Sequence, residues 1–266
     1  MSDKIKVAVL GACGKMGREV MRAVAGADDM ELVGGCDVYC AGTNASEATG
    51  VPGLSFNIES DFKKLLAQSK PDVVIYFAKP FDMDNVRAML NAGVVPIIGT
   101  TGISAQELDE IGRLAESTGT GAMVIPNFAI GAVLMMKFAA EAAKYMPNVE
   151  VIELHHDKKI DSPSGTAIKT AEMIEASRLE SGIEWEKPLG SDDDPARGDK
   201  HSDIQIHSVR LPGLVAHQEV LFGGTGQILT IRHDSIDRTS FMPGVLLAVR
   251  RASTIKALVY GLDKLL

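Results

Sequence analysis

The sequence predicts an α/β chain, a doubly wound parallel sheet followed by an α+β domain built on a largely antiparallel sheet. Three observations predict it. Through the first half, short apolar runs alternate with helix-periodic stretches across short connections, the pattern of parallel strands covered by helices on both faces. Beyond Pro126-Asn127 that alternation stops, and three strand-like runs follow one another with Gly- and Pro-rich turns between them. The composition suits a packed chain of this size: of 266 residues, 45% are hydrophobic and 23% charged.

In order, residues 5–10 form an apolar strand broken only by Lys6, followed by glycines and a helical stretch over 16–25. A second strand covers 31–36. Residues 61–68 read as a helix, 73–77 as a strand, 84–91 as a helix and Pro96-Ile97-Ile98 as a short strand. Ser104-Ala105-Gln106-Glu107 is a capping box that opens a helix running to about 117, and 122–125 is one more strand. In the second half, a long helix over 131–145 stops before Pro147. A strand over 149–156 and a helix over 164–181 follow. Residues 182–203, with Asp192-Asp193-Asp194-Pro195, form a polar loop. Strands over 204–211, 215–222 and 227–234 form an antiparallel meander, and a helix over 240–259 closes the chain.

Charge narrows the function. With 27 basic and 35 acidic side chains the net charge is -8, which repels phosphate backbones and anionic lipid. No apolar run is long enough to span a bilayer, and no leader is expected ahead of the first strand. Neither nucleic acid nor membrane is therefore an expected partner. Cys13, Cys36 and Cys40 are odd in number, match no zinc spacing and read as small buried side chains of a cytoplasmic protein; no disulfide and no metal are expected.

Gly11-Ala12-Cys13-Gly14-Lys15-Met16-Gly17 lies directly after the first strand and opens the first helix. Glycines there allow a tight turn and a close approach to a pyrophosphate, which faces the helix N-terminus. The spacing departs from the usual G-x-G-x-x-G, but Asp37 follows the second strand, where an acidic side chain accepts from an adenosine ribose. Phe77-Ala78-Lys79-Pro80 and Gly99-Thr100-Thr101-Gly102 end later strands on the same side of the sheet. Together these point to dinucleotide binding.

The stretch Glu153-Leu154-His155-His156-Asp157-Lys158-Lys159-Ile160-Asp161-Ser162-Pro163-Ser164-Gly165-Thr166 follows a strand and ends at a helix start. Histidine can move a proton near neutrality, and lysine can donate one while neutralising an anion. Ser164, Gly165 and Thr166 can offer hydroxyl and N–H groups to a carboxylate. The residues alone leave three readings open. They are catalysis on a dicarboxylate, a solvated structural charge run, and a metal site of His155 and His156 with one of His207, His217 or His233.

These motifs, with Pro126-Asn127-Phe128 and Phe222-Gly223-Gly224, resemble over essentially the whole chain the 4-hydroxy-tetrahydrodipicolinate reductase (dihydrodipicolinate reductase) family of diaminopimelate and lysine biosynthesis. The resemblance implies a Rossmann-like cofactor domain over 1–126, to which residues 239–266 return, and a substrate and tetramer-forming domain over 127–238. It implies that His155 is the acid/base residue and Lys159 the proton donor, with His156, Lys159, Ser164, Gly165 and Thr166 around the carboxylates of a small dicarboxylate substrate. Gly11, Ala12, Cys13, Gly14, Lys15, Met16, Asp37, Lys79, Gly99, Thr100, Thr101, Ile125, Pro126, Asn127 and Phe128 would contact NADH or NADPH. A cytoplasmic homotetramer is implied. Asp37 is followed by Val38, Tyr39 and Cys40 with no cation, so both cofactors are expected to work, with NADH equal or better and Lys79 reaching the 2′-phosphate of NADPH.

Overall fold

The computed structural model describes residues 3–185 and 194–266; residues 186–193, including Asp192 and Asp193 of the expected polar loop, lie outside the described residues. The elements of the first half are β1 (Ile5–Leu10), α1 (Lys15–Ala25), β2 (Met30–Cys36), α2 (Ala45–Thr49), α3 (Phe62–Ser69), β3 (Val73–Tyr76), α4 (Met83–Asn91), β4 (Val95–Ile98), α5 (Ala105–Thr118) and β5 (Ala122–Val124). There follow α6 (Ile130–Ala143), β6 (Asn148–His155), α7 (Gly165–Ser181), β7 (Asp199–His201), β8 (Ile204–Arg210), β9 (Ala216–Gly224), β10 (Gln227–Ser235), α8 (Met242–Arg251) and β11 (Leu258–Tyr260). Local chemistry sets several boundaries. Asp61 accepts from the N–H groups of Lys63 and Lys64 and starts α3, and the Ser104/Glu107 box closes in both directions at the head of α5.

The chain divides into two compact units, Met1–Phe128 with Phe241–Leu266, and Ala129–Ser240. The first holds a six-stranded sheet in the order β11-β5-β4-β3-β1-β2, parallel at every pairing. Val7, Ala8, Val9 and Leu10 are all buried, as a strand covered on both faces must be. The order reverses between β1 and β3, the switch point outside which dinucleotides bind in such sheets. The turn after β1, Asp37 after β2, and the loops after β3, β4 and β5 all fall on the carboxyl edge.

The second unit holds a five-stranded sheet in the order β10-β9-β6-β8-β7. Two expectations are corrected here. The runs over 204–211, 215–222 and 227–234 do not form a continuous meander: β6 lies between β8 and β9, parallel to β8 and antiparallel to β9. The loop expected over 182–203 contains β7 near its end, antiparallel to β8. A third correction concerns the C-terminus. The helix expected over 240–259 ends at Arg251, and after a 3-10 turn the chain extends into β11, which pairs in parallel with β5. A bidentate Arg250–Asp29 ion pair ties α8 to the segment leading into β2.

Candidate active site

The glycine turn after β1 is built for close backbone approach. Gly11 has φ +86, and a Cβ there would lie 2.6 Å from the Ala78 nitrogen, so only glycine fits. A Cβ on Gly17 would run into the Gly11 carbonyl oxygen, which lets α1 pack directly against the turn. Asp37 reaches across from β2: Oδ2 accepts from the Cys13 N–H at 2.9 Å and Oδ1 from the Tyr39 N–H at 3.0 Å. Each oxygen retains a lone pair for a ribose hydroxyl. The turn and Asp37 thus fit a dinucleotide, with the phosphate side facing the start of α1.

The cysteine expectation is overturned in this turn. Cys36 is buried, but Cys13 and Cys40 are only half-buried and form a disulfide, their Cα atoms 6.3 Å apart. The turn swings Cys13 toward the loop after β2, a proximity that sequence separation conceals. Among the described residues, the three potential metal-ligating groups that gather within 4.8 Å of one another are Cys13, Asp37 and Cys40. The histidine set considered above is not brought together: His155 meets Glu153, His156 accepts from the Lys158 N–H, His207 meets Glu150 and His217 meets Asp234.

The loops after β3, β4 and β5 cluster as well. The Thr100 hydroxyl donates to the Ala78 carbonyl at 2.9 Å, and Lys79 Nζ donates to the Thr101 hydroxyl at 3.0 Å. Phe77 and Phe128 pack with ring centroids 5.7 Å apart, and a Cβ on Gly99 would strike both rings. Ile125 is buried and its N–H donates to the Ile98 carbonyl, so Pro126 and Asn127 emerge from a fixed point. Lys79 therefore lies beside Thr101 after β4, with β1 between its strand and that of Asp37. That placement favours a role with Thr101 over one at the adenosine ribose.

In the second unit, β6 carries Glu153 and His155 on one face, two residues apart. Glu153 is completely buried and bonds to His155 Nδ1. Arg210, opposite His155 in β8, donates Nη1 to Glu153 Oε2 at 2.8 Å and Nη2 to Oε1 at 2.7 Å. The Ser164 N–H donates to Oε1 at 3.2 Å, while the Ser164 hydroxyl caps α7 by accepting from the Ala167 N–H. Burial alone would raise the Glu153 carboxyl, but the hydrogen bonds from His155, Arg210 and Ser208 outweigh it and hold it down to about 2. Lys159 Nζ lies 2.7 Å from both carboxylate oxygens of Asp161, which lowers that carboxyl despite partial burial. Gly165 opens α7, and a Cβ there would meet open space, leaving the helix start accessible to an anion.

The structure thus brings His155, Lys159, Ser164 and Gly165 around one loop. Two residues of the site, Glu153 and Arg210, have no role in the sequence reading. Glu153 has a local signal, an acid two positions before a strand histidine; Arg210 has none, because β8 is distant in sequence.

Comparison with known proteins adds a separate line. The chain matches the family models described as "Dihydrodipicolinate reductase, N-terminus" over residues 5–128 and "Dihydrodipicolinate reductase, C-terminus" over 131–266. It is 49% identical to the 4-hydroxy-tetrahydrodipicolinate reductase of Syntrophomonas wolfei, covering 100% of both chains. The same identity holds to that of Desulfitobacterium hafniense, over 99% of both. Among solved structures it is similar to the dipicolinate-bound dihydrodipicolinate reductase of Paenisporosarcina sp. TG-14, with TM-score 0.85 and 45% identity over 99% of this chain and 100% of that one.

Proposed function

The chain belongs to the dihydrodipicolinate reductase family, and from that premise we propose how its own residues divide the work. It reduces 4-hydroxy-tetrahydrodipicolinate, through the dehydrated cyclic imine, to tetrahydrodipicolinate in diaminopimelate and lysine biosynthesis. The hydride comes from NADH or NADPH.

On this reading, Gly11, Ala12, Cys13, Gly14, Lys15 and Met16 hold the pyrophosphate against the start of α1, and Asp37 accepts from the adenosine ribose. Lys79, Gly99, Thr100, Thr101 and residues 125–128 complete the cofactor wall at the ends of β3, β4 and β5. In the second unit the start of α7, with Ser164, Gly165 and Thr166, takes one substrate carboxylate, and His156 and Lys159 take the other. Adding hydride to a conjugated imine leaves negative charge on a neighbouring atom, which must take a proton. His155 is the acid/base residue and Lys159 the donor. A substrate carboxylate displaces the Asp161 side chain, which is 63% exposed, from the Lys159 ammonium.

The observation that carries this assignment is the convergence of His155, Lys159 and the α7 start on one loop. We further assign a homotetramer: edge strand β10 exposes Ile228 on one face and Leu229 on the other, apolar side chains that a second copy pairing at this edge covers. A net charge of -8 supports the absence of nucleic-acid and anionic membrane partners; the Cys13–Cys40 disulfide removes the cysteine argument for a cytoplasmic location, which rests on the demand for reduced cofactor alone.

The test generates the substrate in place with the upstream synthase, aspartate semialdehyde and pyruvate, and follows absorbance of the reduced cofactor. Wild-type protein consumes cofactor only when all components are present. His155→Gln and Lys159→Ala variants that consume it at the wild-type rate contradict the assignment.

A further inference from the structure

We propose that Glu153, locked by Arg210, is a positioning residue that holds the His155 proton on Nδ1 and ties His155, the Lys159 loop and the α7 start to one buried carboxylate. The inference rests on the assignment of His155 and Lys159 above and adds residues outside it.

A carboxylate with 0% exposure is costly to bury unless each oxygen is well satisfied. Here the donors come from four directions. Arg210 supplies a bidentate guanidinium, Ser164 a backbone N–H, Ser208 a hydroxyl from β8, and His155 its Nδ1. An ionised carboxylate only accepts, so the neutral His155 ring must carry its proton on Nδ1 and present Nε2 as the atom that exchanges protons.

The same carboxylate reaches the other two groups. Arg210 Nη2 also donates to the Asp161 carbonyl at 2.8 Å, and the Asp161 side chain holds Lys159 Nζ. The Ser164 N–H fixes the residue that caps α7. Moving Glu153 therefore disturbs His155 directly, Lys159 through Arg210 and Asp161, and the carboxylate-binding helix start through Ser164. A glutamine of equal size does not substitute. Both Glu153 oxygens face an Arg210 N–H, so an amide nitrogen in either place opposes donor to donor.

The experiment uses Glu153→Gln, Arg210→Lys, His155→Gln and the double variant Glu153→Gln/His155→Gln. Imidazole nitrogen shifts, with the His155 signal assigned by its loss in His155→Gln, are expected to report an Nδ1–H ring in wild type and loss of that single tautomer in Glu153→Gln. The kcat of Glu153→Gln is expected to fall about tenfold or more. Its kcat–pH limb should shift, while the KM for NADH stays within about twofold. Glu153→Gln/His155→Gln is expected to lose less kcat than the product of the two single losses, because much of the Glu153 effect passes through His155. Arg210→Lys keeps the carboxylate and covers the case in which Glu153→Gln does not fold. It should retain the tautomer, lose less kcat, and raise the substrate KM as the Lys159 loop loosens.

An unchanged tautomer and pH profile in Glu153→Gln would overturn the proposal, as would multiplicative losses in the double variant or, for Arg210→Lys, a lower melting temperature with kinetics intact. The tautomer reading needs no turnover. An Nδ1–H ring in wild type beside a fully active His155→Gln would therefore sink the catalytic assignment and leave the positioning geometry standing.

Discussion

The backbone N–H of Cys13 donates to Asp37 Oδ2 at 2.9 Å, so the glycine turn after β1 and the end of β2 are held as one surface. The carboxylate that would bind ribose also orders the turn that would bind pyrophosphate. Asp37→Ala is expected to raise the KM for NADH by about tenfold or more, since a hydrogen bond to a charged group contributes roughly 1.5–3 kcal/mol. The kcat should change little. Steady-state kinetics at saturating substrate check this, and an unchanged KM would place the ribose elsewhere.

Lys79 is engaged by the Thr101 hydroxyl on the far side of β1 from Asp37. Lys79→Ala is therefore expected to change the KM for NADH and NADPH by similar factors. A selective loss of NADPH use, the outcome expected from sequence alone, would show that the side chain swings to the adenosine ribose.

Two glycines separate folding from binding. A Cβ on Gly165 meets open space, so Gly165→Ala should leave the melting temperature nearly unchanged while raising the substrate KM, because the methyl group stands at the α7 start. A Cβ on Gly17 meets the Gly11 carbonyl, and Gly17→Ala should cost about 1–3 kcal/mol of stability and weaken cofactor binding. Thermal unfolding and ligand titration distinguish the two patterns.

The strand–helix alternation of the first unit was legible because its elements carry their own period and some of its helices their own cap, as at Asp61 and Ser104. What escaped the sequence depends on partners remote along the chain. Nothing in 204–222 says that β6 will sit between β8 and β9. The three residues of β11 are too few to show alternation, and they become a strand only because β5 offers an edge. The Cys13–Cys40 pair is created by the geometry of the turn. At the candidate site, the gathering of His155, Lys159, Ser164 and Gly165 on one loop could be read from one contiguous motif. Arg210 could not, because its role exists only once β8 lies beside β6.

Glu153 also makes stability depend on acid pH. Its folded carboxyl is held down to about 2 against an ordinary 4.5, so its contribution is present above pH 4.5 and is lost as the pH falls toward 2. One such group bends the stability curve by at most about 1.4 kcal/mol per pH unit. Denaturant unfolding between pH 5 and 2 is expected to show a shallower decline in Glu153→Gln than in wild type. Parallel declines would mean that folding does not lower the Glu153 carboxyl.

The claim that proton delivery belongs to His155 and Lys159 is tested most directly by single-turnover oxidation of NADH, with cofactor and substrate both saturating. His155→Gln and Lys159→Ala are each predicted to slow that step at least about tenfold with the affinity for NADH preserved. The double variant should lose less than the product of the two effects, because both act on one protonation event. Single-turnover rates equal to wild type in both variants would contradict the account.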